Sequence, residues 1–134
     1  MSAISERVRN FIFEFVDSAE LLEVLLLLRS EPAKSWSIQA LSESLRSNPD
    51  SIEKRIVFLA ELRILTKLDS NPQAYRYSPD NLEHSEIIDE IASIYQIQRH
   101  RIYEIIFSPL KTGRDFADAF RIKNSRSKKE EQND

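Results

Sequence analysis

The chain has few side chains of the kinds that do covalent or metal chemistry, and their spacing works against them. His84 and His100 stand sixteen positions apart with no ligand set around either. Each therefore reads as a surface histidine on a helix rather than a metal ligand or a base. Cysteine is absent, which removes thiolate nucleophiles, thiolate zinc sites, iron–sulfur clusters and disulfides together. Gly113 is the sole glycine. Backbone cradles for phosphates and dinucleotides need glycines at close spacing, so nucleotide-binding loops are excluded and no cofactor is expected. The 22 carboxylates are spread along helix faces, where they solvate a flank. With no nucleophile–base pair, glycine loop or metal set, the chain does not read as an enzyme.

What remains is binding, and the elements that would carry it follow from composition and periodicity. With 134 residues, 41% of them apolar, one compact domain with appendages is expected. The opening residues, Met1-Ser2-Ala3-Ile4-Ser5-Glu6-Arg7, do not have the form of a signal peptide. The longest apolar run, Val24 to Leu28, is five residues, against about 20 for a bilayer span. Together with the lack of cysteine this points to a reducing, cytoplasmic setting and away from a membrane.

Ile4, Val8, Phe11, Ile12, Phe15 and Val16 recur at helical spacing and predict an N-terminal amphipathic helix within residues 1–16. Asp17 with Glu20 has the form of a capping box opening a second helix through Leu21, Leu22, Val24, Leu25 and Leu28. That helix is apolar almost all round and should be central. Pro32 ends it. Trp36-Ser37 predicts a one-step strand leading into a short helix with Ile38, Leu41 and Leu45 inward. Ser47-Asn48-Pro49-Asp50 turns the chain and caps a helix from about Asp50 to Leu62, with Ile52, Ile56 and Leu59 on one side. Residues 64–68 and 75–78 read as strands joined by the turn-rich run 69–74. A long helix from about Asp80 to Phe107 carries Ile87, Ile91, Ile94, Gln98, Ile102 and Ile105 at steps of three or four, with a second row of Ile88, Tyr95, Tyr103 and Ile106. Past Ser108-Pro109, residues 113–123 suggest a short helix bearing Phe116 and Phe120, and 124–134 lack apolar residues and should be disordered.

The ordered run WSIQALSESLRSNPDSIEKRIVFLAELRILTKLDSNPQAYRYSP resembles the winged helix-turn-helix of bacterial regulators such as the MarR and PadR types. The resemblance spans Ala19 to Pro79, somewhat under half the chain, and rests on element order and apolar spacing. Arg63 stands where a glycine usually turns the chain into the wing. The resemblance implies a mainly α fold: a three-helix core and small β-wing over residues 17–79, with an added N-terminal helix and a long C-terminal helical region over 80–123. It also implies that the third helix of the module enters the major groove of double-stranded DNA while the wing touches backbone or minor groove.

On that reading Ser51, Lys54 and Arg55 lie at or near base edges, and Arg46, Lys67 and Arg76 contact phosphates. The alternative is that they are ordinary solvated charges. Residues 36–79 hold six basic against five acidic residues, so one module should bind DNA weakly and a dimer better. The wheel of the third helix sets Asp50, Lys54, Val57, Phe58 and Glu61 opposite the core. Val57 and Phe58 either pack against a terminal helix or form a docking patch for a protein. The row Ile87, Ile91, Ile94, Gln98, Ile102 and Ile105 either meets a second copy in a homodimer or is covered by the N-terminal helix of its own chain.

Overall fold

The computed structural model describes residues 4–108. The short helix expected over 113–123 and the tail 124–134 lie outside the described residues. Five helices and three strands follow in the order α1 (Glu6–Phe15), α2 (Ala19–Ser30), β1 (Trp36–Ser37), α3 (Ile38–Leu45), α4 (Pro49–Glu61), β2 (Leu65–Leu68), β3 (Ala74–Tyr77) and α5 (Leu82–Ile106). This is a mainly α winged-helix architecture with one small antiparallel sheet in the order β1-β3-β2. β1 closes the sheet by pairing Trp36 with Tyr75, and the wing pairs Leu65 with Tyr77 and Lys67 with Tyr75.

Each helix of the core starts on a side-chain cap. The amides of Val8, Leu21, Ala40 and Asp50 donate to the side chains of Ser5, Ser18, Ser37 and Asn48, satisfying donors that the first helical turn leaves free. The cap of α2 is therefore Ser18 and not Asp17, which leaves Asp17 and Glu20 available for contacts outside their own helix. Helix α2 is the central post: Leu21, Leu22, Val24, Leu25 and Leu28 are all at most 2% exposed. It packs against α3, α4, β3 and α5.

Two helix ends are made by arginine in the left-handed region, where glycine is usual. Arg46 (φ 55°) closes α3 and Arg63 (φ 62°) closes α4. Behind Arg63 the bonds are those of a Schellman turn: the Arg63 amide donates to the Ala60 carbonyl at 3.0 Å and the Ile64 amide to Leu59 at 3.1 Å. The chain thus enters the wing without a glycine, because Ile64, fully buried, is drawn into the core by the same turn.

Helix α5 departs from the single straight rod that its periodicity predicts. Gln98 leaves helical conformation (φ −137°, ψ 61°), and the axis bends there. The apolar row is covered by the chain itself: Ile87, Ile91, Ile102 and Ile105 are buried, Ile94 is half-buried, and α1 is the main element laid along α5. Of the two coverings left open by the sequence, the N-terminal helix is the one observed, so an uncovered stripe no longer argues for a partner. His84 is also less exposed than its sequence suggests. It is wedged edge to face between Phe11 and Phe15, with centroids 5.5 and 5.8 Å away. Ion pairs staple the same seam, Arg7 to Glu86 at 3.2 Å and to Glu90 at 2.8 Å, and a further pair, Arg29 to Asp89 at 3.0 Å, ties α2 to α5.

Candidate nucleic-acid interface

Helix α4 divides into three faces. Ile52, Ile56 and Leu59 are buried against α2 and α3. Asp50, Glu53, Lys54, Val57 and Glu61 are exposed, and at 100° per residue they fall within an arc of about 100°. Ser51, Arg55 and Phe58 line the flank between these, turned toward the start of α2. Phe58 therefore packs partly against the core, whereas Val57 stays 45% exposed. Glu53 takes the outward place that the wheel gave to Phe58. The outward stripe holds three carboxylates and one ammonium group.

The flank residues are engaged. Arg55 donates from Nε to Oε1 of Glu20 at 3.0 Å and approaches Asp17 at 3.6 Å, and the Ser51 hydroxyl donates to the same Glu20 oxygen. Burial pushes the Glu20 carboxyl up. Hydrogen bonds from Ser51, Arg55 and Ser47, with the Arg55 charge, outweigh that and hold it below its ordinary value. Glu20 also stands in the first turn of α2, where the helix dipole favours an anion. Two of the three residues expected at base edges are thus tied back onto α2. Lys54 is exposed.

The three residues expected at phosphates are spread around this helix. Arg46 is exposed at the end of α3, just before α4 begins. In the wing, Lys67 lies across from Tyr75 and Arg76 across from Thr66. Directly paired residues share a face of the sheet and neighbours alternate, so Lys67 and Arg76 project from opposite faces of the hairpin. Lys67 is exposed and Arg76 half-buried. Arg63, which sequence reasoning treated only as a missing glycine, has a side chain 79% exposed and only a 3.8 Å contact to Asp80. Its left-handed backbone, forced by the turn into the wing, is what turns it outward.

Among the described residues no group of three or more histidine, aspartate or glutamate side chains is placed to hold a metal ion, and no helix is long and apolar enough to cross a membrane.

Neither a family model nor a curated relative matches the sequence. Solved structures do. A mutant of MepR from S. aureus bound to an oligodeoxyribonucleotide is similar over 90% of this chain and 87% of its own, with a TM-score of 0.53 and 8% identity. A chain described as a possible transcriptional regulator from Methanosarcina mazei Go1 covers 74% of this chain and 86% of its own, with a TM-score of 0.48 and 19% identity. At such identity the MepR likeness concerns the fold alone.

Proposed function

We propose that the chain is a DNA-binding transcriptional regulator acting as a dimer. The observation that carries this reading is the outward stripe of α4: its residues are exposed, Lys54 stands on it, and Arg46 and the wing residue Lys67 are exposed on the elements just before and after α4. The likeness in fold to MepR, seen with an oligodeoxyribonucleotide, supports it. Arg46 and Lys67 contact phosphates, Lys54 reaches base edges, and Arg76 serves the other face of the wing. Asp50, Glu53 and Glu61 repel the phosphate backbone, so one module attracts DNA weakly and two copies bind together. Their α4 helices then enter successive major grooves about 34–36 Å apart.

A second reading is favoured by the composition of the stripe. Three carboxylates around an exposed Val57 suit a basic protein surface as well as a groove. Titration of a labelled random duplex separates the two. A copy making three phosphate contacts, through Arg46, Lys67 and Arg76, loses about fortyfold in affinity between about 50 and about 200 mM salt, and Arg46→Ala or Lys67→Ala flattens that slope by about 1 per copy bound. Absence of duplex binding at the lower salt removes the DNA reading and leaves the protein-docking one.

A further inference from the structure

The most heavily bonded side chain near the interface is Glu20, which belongs to α2 and not to the helix-turn-helix pair. Its Oε1 receives both the Ser51 hydroxyl and Arg55 Nε, the latter at 3.0 Å, and Asp17 holds the far end of the same guanidinium at 3.6 Å. Arg55 and Glu20 are largely covered, with side chains 27% and 21% exposed, while Asp17 is 71% exposed. A guanidinium held by two carboxylates has no net charge to offer a phosphate, and a hydroxyl donating to a carboxylate has no proton free for a base. Both groups stand one helical step from the outward stripe, on the side of Lys54. Arg55 also lines, with Asp17, Leu21, Lys54 and Phe58, a pocket of about 150 Å³ beside the outward stripe.

We infer that Glu20, backed by Asp17, competes with nucleic-acid phosphate for Arg55 and Ser51 and so sets the affinity of the α4 face. In the free protein the carboxylates satisfy the arginine. On DNA, phosphate oxygens replace them, and the energy of breaking the Glu20 contacts is subtracted from binding. The acidic partners act as an internal anion that weak, non-specific sites fail to displace and a well-fitted site displaces. This inference rests on the DNA-binding reading.

The test is a double-mutant cycle on duplex affinity, using the full chain with Glu20→Gln, Arg55→Ala and both together. Glu20→Gln keeps an acceptor for Ser51 and removes the charge. At about 50 mM salt it should bind a random duplex roughly tenfold more tightly than the parent, with a salt slope steeper by about 0.9, the signature of one additional phosphate contact. Arg55→Ala in the same chain should abolish that gain. Asp17→Asn, at an exposed position with little part in folding, should shift affinity in the same direction by less. Glu53→Gln controls for simple loss of negative charge, and its gain should survive Arg55→Ala. If the parent binds and Glu20→Gln binds no better, or its gain persists without Arg55, the competition is refuted while DNA binding stands. If neither the parent nor any variant binds duplex, both fail. Should Glu20→Gln not fold, the Asp17→Asn and Arg55→Ala pair decides the matter by the same criterion.

Discussion

The hydroxyls of Tyr95 and Tyr103 meet at 3.0 Å, and their rings cross edge to face with centroids 5.9 Å apart. Eight residues of straight helix would separate the two positions by about 12 Å along the axis. The contact exists because the chain leaves helical geometry at Gln98, whose side-chain oxygen accepts from Arg101 at 2.8 Å. Burial, joined by the Tyr95 hydrogen bond, pushes the Tyr103 phenol up to about 12, and burial pushes Tyr77 up to about 12 as well. An unfolded tyrosine ionises near pH 10. The folded state therefore holds these protons longer. The resulting stability is complete below about pH 10 and is lost as pH rises from there through about 12. Phenolate absorbance should show two late-titrating groups, one removed by Tyr103→Phe and the other by Tyr77→Phe. If Tyr103 instead ionises like an unfolded tyrosine, its ring is solvated and its hydroxyl does not bond Tyr95 in solution.

Arg63 gives a second expectation. A non-glycine residue in the left-handed region costs about 1–2 kcal/mol, and glycine gives back about 0.5–1 kcal/mol through the greater freedom of the unfolded chain. The contact to Asp80 at 3.8 Å joins two exposed side chains and contributes little. Arg63→Gly should therefore stabilise the protein by about 0.5–1 kcal/mol, seen as a higher urea midpoint with an unchanged slope. A lower midpoint would mean that the Arg63 side chain holds the wing in place.

Much of the fold was legible because each element carries its own period and its own stop. Ser47-Asn48-Pro49 announces α4, the buried leucines of α2 announce a central helix, and Trp36-Ser37 forms the one-step strand that its spacing suggests. The bend at Gln98 was illegible, since no proline or glycine marks it and the isoleucine spacing continues across it. The Tyr95–Tyr103 bond that follows from it was illegible for the same reason, since eight residues of straight helix would hold the two rings apart. The interface was half legible. Periodicity finds the outward face of α4, but the fate of Ser51 and Arg55 depends on Glu20, which is 31 and 35 positions away in the chain. No local pattern encodes that contact. The capping-box reading of Asp17 and Glu20 hid it, because it assigned both carboxylates to their own helix.

The seam between α1 and α5 rests on apolar burial more than on its ion pairs. Phe11 is 4% exposed and meets Phe15 and His84 edge to face at 5.1 and 5.5 Å. Phe11→Ala should cost about 3–5 kcal/mol, a large part of the roughly 5–15 kcal/mol typical of a small domain. Arg7 bonds both Glu86 and Glu90, which raises its pKa further, but all three groups face solvent. Arg7→Ala should produce a small loss that salt erases. Chemical denaturation at low and high salt measures both. A loss from Arg7→Ala that matched Phe11→Ala would make the charges the dominant tie.

The isoleucines of α5 allow a decision between a core and an interface. Ile91 is fully buried within one chain, whereas Ile97, one residue before the bend, is 81% exposed. If the row through Ile91 is core, Ile91→Ala should lower stability by about 2–4 kcal/mol at every protein concentration, since the cavity it leaves lies inside one chain. Ile97→Asp should leave the stability of a monomer within about 0.5 kcal/mol. A dimer that forms through the exposed end of α5 would instead be dissociated by Ile97→Asp and untouched by Ile91→Ala, because a charge placed in an apolar contact is left without a partner. Sedimentation of the two variants over a range of concentrations reads this directly. If Ile91→Ala shifts the association equilibrium and leaves the monomer's unfolding unchanged, the row belongs to an interface and α1 is only a loose cover over it.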